Sequence, residues 1–123
     1  MDIQSLSILI PVYNEEASVY YVLEKVNSIT LKGGIQKEIV VIDDASIDNT
    51  RSEIDRFISD YPDCSIHLQS HETNQGKGAA LHTGIAHCSG DYVIIQDADL
   101  EYDPEEINDL LRPVLKGKAD VVY

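Results

Sequence analysis

A chain of 123 residues suits one folding unit, and a 43% hydrophobic share is enough to bury a core. Nine basic against 22 acidic residues give a net charge of −13, which disfavours a nucleic-acid backbone or an anionic lipid surface as partner. Cys64 and Cys88 fall in different elements without metal-ligand spacing and read as reduced, structural thiols. Asp2 lies just ahead of the first strand, so no signal peptide is expected, and no apolar run approaches the roughly 20 residues of a spanning helix. The segment reads as soluble and cytoplasmic.

In chain order, Leu6 to Ile10 has the length and composition of a buried strand and runs into Pro11-Val12-Tyr13-Asn14-Glu15. Val19, Val22, Leu23, Val26 and Ile29 then recur at helical spacing, and Gly33-Gly34 ends that helix. A second strand, Glu38 to Ile42, runs into Asp43-Asp44-Ala45-Ser46-Ile47-Asp48. Ile54, Phe57 and Ile58 mark a helix opening near Asp48-Asn49-Thr50, and Tyr61-Pro62-Asp63 stops it. Ile66 to Leu68 is a short third strand, followed by a polar loop from Ser70 to Gln75. A third helix opens at Gly78 and closes at Ser89-Gly90. The strand Tyr92 to Ile95 then delivers Gln96-Asp97-Ala98-Asp99-Leu100-Glu101. Pro104 suits the first turn of a helix through Leu110 and Leu111, and Asp120 begins a fifth strand. Strands alternating with helices predict an α/β fold with a mostly parallel sheet. Ending on a strand suggests part of a longer protein.

The acidic clusters all stand where strands end. Parallel neighbours share that edge, and open α/β sheets bind ligands there. Carboxylates converging on one crevice repel one another unless a cation sits among them, and a divalent ion with oxygen ligands is the economical solution. With thirteen Asp in the chain, Asp97-x-Asp99 carries no weight as a bare motif. Its weight comes from the strand that delivers it and from Glu101 two residues on. The bland alternative is a solvated loop capping the next helix.

Of the pair Asp43-Asp44, one side chain should face the crevice and accept hydrogen bonds from a ligand, while nearby Ser, Asp and Asn residues cap a helix. Gly76-Lys77-Gly78 fails both the Walker and the dinucleotide-binding patterns, leaving a flexible loop with one cation at a helix N-terminus. His71, His82 and His87 form no metal set and read as surface or packing residues. Tyr20 and Tyr21 read as helix surface; Tyr13 is better placed to pack on a nucleotide.

In order, PVYNE (11–15), DDASIDNT (43–50), HETNQGKGAALHTG (71–84) and QDADLEYDPEE (96–106) resemble the family 2 glycosyltransferases with the GT-A fold. DVVY (120–123) fits the start of that family's next strand, and the last two long motifs look most like its polyprenyl-phosphate branch, the dolichol-phosphate mannose and glucose synthase type. The resemblance implies a Rossmann-like, nucleotide-sugar-binding half of a GT-A domain over residues 1–123, continued beyond Tyr123. It implies inverting transfer of a sugar from a UDP- or GDP-sugar to an acceptor such as a polyprenyl phosphate or a glycan, with Mg²⁺ or Mn²⁺. Pro11, Tyr13 and Glu15 would line the nucleoside, with Ile42 and Asp44 at the base. Asp97, Ala98 and Asp99 would approach ribose and diphosphate. Asp99, with Glu101 and Asp97, would hold the metal, and Lys77 would assist at the diphosphate.

The general base is expected beyond Tyr123, and membrane association through parts absent here. Two departures stand out. His82 follows Leu81 where the family commonly has Arg, and Ala45 replaces a common Gly, at little cost if its backbone angle is ordinary. A non-catalytic nucleotide-sugar-binding module is an alternative. So is a signalling receiver domain, although that needs its acidic pair after the first strand.

Overall fold

A computed structural model describes residues 5–29, 34–98 and 121–122. Its elements run β1 (Ser5–Val12), α1 (Val19–Ser28), β2 (Gln36–Asp43), α2 (Thr50–Asp60), β3 (Ile66–Ser70), α3 (Lys77–His87), β4 (Tyr92–Ile95) and β5 (Val121–Val122). The strands form one parallel sheet in the order β3-β2-β1-β4-β5. That order differs from the 2-1-3-4-5 arrangement of receiver-type sheets. The helix expected from Pro104 lies outside the described residues.

Period-2 alternation sorts the strand residues into two cores. Leu6, Ile8, Ile10 and Val12 of β1 join Ile39 and Val41 of β2 beneath α1 and α2, which contribute Val22, Leu23, Val26, Ile54 and Phe57. Leu9, Val40, Ile42 and Val93 face the other way, onto Ala80 of α3. α3 sits close because Gly84 lacks a side chain: a Cβ there would lie 2.1 Å from Leu9 Cδ1. The sheet is therefore covered on both faces, as near-continuous apolar strands require.

Pro11 in a central strand would ordinarily cost a ladder bond. Here the ladder toward β4 has already closed, with Gln96 N donating to the carbonyl of Leu9. Two residues on, Pro11 faces that same side, past the last β1–β4 pair of Leu9 with Ile95. A missing N–H costs nothing at that point.

Candidate functional site

The carboxyl ends of β1, β2 and β4, with the loop before α3, bound a cleft of about 620 Å³. Its size is that of a small-molecule site. Pro11, Val12, Tyr13 and Glu15 line the β1 side, Asp44 the β2 side, and Asp97 with Ala98 the β4 side. Asn74, Gly76 and Lys77 close it from the loop before α3.

Two loops brace each other along one rim. Asn14 N donates to Ser46 Oγ at 2.9 Å, and Ile47 N donates to Asn14 Oδ1 at 2.9 Å. Glu15 N donates to Thr50 Oγ1 at 2.8 Å. Asn14 and Ala45 take the left-handed conformation, with φ of 53° and 62°. The condition for a costless Ala45, an ordinary backbone angle, is thus not met. The positive φ reverses the chain directly after Asp44, and alanine holds it at a cost of about 1 kcal/mol that glycine would avoid.

Asp43 and Asp44 are both buried. Asp43 Oδ1 accepts from Ser46 N at 3.1 Å and steadies its own loop, whereas Asp44 borders the cleft. Asp44 Oδ1 accepts from Gln75 N at 2.9 Å, and Oδ2 from Gly76 N at 2.8 Å. His71 Nδ1 lies 2.7 Å from the same Oδ1, and His71 Nε2 lies 2.9 Å from Thr83 Oγ1. Burial pushes the Asp44 carboxyl up, but the His71 bond and the two backbone amides outweigh it and hold the group below its ordinary value. An ionised carboxylate only accepts, so Nδ1 carries the proton and donates to Asp44, while Nε2 lies within hydrogen-bond distance of the Thr83 hydroxyl.

Ile42, expected at the base, does not reach the cleft. It shares a face with Asp44 two residues earlier and is covered there by α3. Ala98 borders the cleft while its side chain packs in the core beneath α1, and its carbonyl accepts from Ser18 Oγ at 2.6 Å. Val12, Asn74 and Gly76 were not anticipated. Gly76, at φ 95°, is the one with a readable signal, since a glycine just before a helix marks a conformation other residues avoid.

Across the mouth, Lys77 Nζ donates to Asp97 Oδ1 at 2.6 Å. Asp97 offers the oxygen donor that a hard divalent ion takes, on the cleft wall and a third exposed, and so fits one position of such a site. Asp99 and Glu101, the other expected ligands, lie outside the described residues. Among the described residues no three His, Cys, Asp or Glu side chains are grouped to hold an ion.

The chain is 37% identical over 120 residues to an undecaprenyl-phosphate 4-deoxy-4-formamido-L-arabinose transferase of Shewanella sediminis, covering 98% of this chain and 36% of that protein. It is 38% identical over 120 residues to the protein of the same name from Edwardsiella ictaluri, again across 36% of its length. The chain thus spans about a third of the length of these curated relatives. A mannosyltransferase of Pyrobaculum calidifontis, solved in complex with GDP-Man and Mn²⁺, superposes with a TM-score of 0.70 at 30% identity over 80% of this chain and 28% of that one. The glucosyl-3-phosphoglycerate synthase of Mycobacterium tuberculosis, solved with Mn²⁺, UDP and glucosyl-3-phosphoglycerate, gives 0.72 at 27% identity over 91% of this chain and 40% of that one. The family model described as glycosyl transferase family 2 matches residues 7–123. With its motifs, its strand order and its cleft in agreement with that match, the chain belongs to the family 2 glycosyltransferases.

Proposed function

We propose that this chain is the donor-binding portion of a glycosyltransferase that moves a sugar, with inversion, from a UDP- or GDP-sugar to a polyprenyl phosphate. The carrying observation is one cleft with a fixed, ionised acceptor at one end, Asp44, and a paired Lys77 and Asp97 at the other. The names of the relatives support a lipid-phosphate acceptor, and the solved neighbours bind UDP or GDP-Man with Mn²⁺.

On this reading Asp44 accepts from an N–H of the base, Tyr13 packs on the nucleoside and Glu15 faces ribose. Lys77 leaves Asp97 for the diphosphate. Asp97, with Asp99 and Glu101, would hold Mg²⁺ or Mn²⁺, which when bound neutralises charge on the departing diphosphate. A phosphate monoester, with a second ionisation near pH 6, attacks without a strong base. The work is proposed to take place at the cytoplasmic face of a membrane.

Calorimetry with UDP and GDP, with and without Mn²⁺, tests the reading. Binding of one of them is expected, strengthened by Mn²⁺, with the metal-supported part reduced in Asp99→Asn. Affinity that is the same with chelator, or in that variant, overturns the metal assignment; binding of neither nucleotide overturns the function.

A further inference from the structure

We propose that His71 is a positioning residue for nucleoside recognition, acting through Asp44 and held in turn by Thr83. The proposal rests on the nucleotide-binding reading above. His71 opens the loop after β3, and its side chain is only 8% exposed. Its backbone N donates to the carbonyl of Asp43 at 2.9 Å, which continues the β2–β3 pairing one step and fixes where the ring begins. The ring then fills the space between β2 and α3, bonded at 2.7 Å to Asp44 and at 2.9 Å to Thr83.

The consequence is a matter of counting. An ionised carboxylate has about four acceptor positions. Gln75 N and His71 Nδ1 take two on Oδ1, and Gly76 N takes one on Oδ2. Among the described residues, one position is left on Oδ2, the oxygen His71 does not touch. By sharing Oδ1 with Gln75 N, His71 restrains the carboxylate against turning about its Cβ–Cγ bond and aims that remaining position. Without His71 the carboxylate keeps its two backbone donors, one on each oxygen, but gains a second open position and is held less tightly.

A buried His is often only a packing residue, and packing alone would make no distinction between its two nitrogens. The proposal does, because only Nδ1 meets Asp44. His71→Asn places an amide N–H near the position of Nδ1, His71→Gln places one near Nε2, and His71→Leu offers neither. Each variant is titrated with UDP and with GDP at fixed Mn²⁺, and its melting temperature is recorded. For whichever nucleotide the unaltered chain binds, His71→Leu and His71→Gln are expected to weaken affinity about tenfold, and His71→Asn to stay within about threefold. Thr83→Val, which keeps shape and removes the hydroxyl, is expected to weaken it about threefold. Affinities equal to that of the unaltered chain in all variants overturn the proposal and leave the nucleotide reading standing. So does recovery by Gln equal to that by Asn, or affinity that only follows melting temperature. If the unaltered chain binds neither nucleotide, both fall together.

Discussion

Asp44 and Asp97 both border the cleft, yet they are held in opposite ways. Asp44 has a 5% exposed side chain fixed by one ring N–H and two backbone amides. Asp97 has a 35% exposed side chain balanced by one flexible lysine. On the proposed function, the contrast matches the two ends of a nucleoside diphosphate. A base is told from other bases by acceptors that do not move, because a misplaced buried polar group leaves its partner unsatisfied. A diphosphate brings its own charge, so that end must be able to exchange partners when the ligand arrives.

The comparison breaks first under substitution. Asp44→Ala takes the acceptor from three part-buried donors at once and should cost about 3 kcal/mol in urea unfolding, as well as nucleoside affinity. Asp97→Asn removes an exposed ion pair and should stay within about 0.5 kcal/mol. Equal losses in the two variants would abolish the distinction.

Acid sharpens it next. Asp44 sits below its ordinary 3.8. Glu38 sits below 4.5: burial raises it, but bonds from Ser7 and Ser89 outweigh that. A carboxyl whose folded value is depressed stabilises the fold fully above its unfolded value and loses that contribution as pH falls through the folded one. The melting temperature should therefore hold from neutrality to about pH 5 and fall below about pH 4. Asp44→Asn should flatten part of that fall. A decline beginning near pH 6 would point to other groups.

The smallest effect is a gain. Ala45→Gly relieves the left-handed alanine but loosens the unfolded chain, for a net stabilisation of about 0.5 kcal/mol by urea unfolding. A loss would mean that the methyl group makes a contact worth more than the strain.

Much of this was legible in the residues. Apolar runs ending in carboxylates located the strands and the sheet edge, since hydrophobic period and strand length are local properties. Ile42 lies beneath the cleft, which its sequence position did not reveal, because a strand-end residue can belong to the cleft or to the layer beneath it. Where α3 begins to cover the sheet decides between them, and that is a tertiary matter. His71 was read only as surface or packing because its partners are 27 and 12 positions away. Ala45 concealed its backbone angle because the residue that usually advertises such an angle is glycine.

The place of β1 between β2 and β4 has a consequence for how the site comes into being. Ser5 and Asp91, bonded to each other, are 86 positions apart. Synthesis proceeds from the N-terminus at about 5–20 residues per second. The wall made by Asp44, Asn74 and Gly76 thus leaves the ribosome seconds before β4. Until then the Asp44 side of the cleft has no partner across β1, and only the arrival of Tyr92–Ile95 along β1 delivers Asp97. A nucleotide bound as proposed, between Asp44 and Asp97, would therefore favour the sheet with β4 in place over the sheet without it, and act as a latch on that strand.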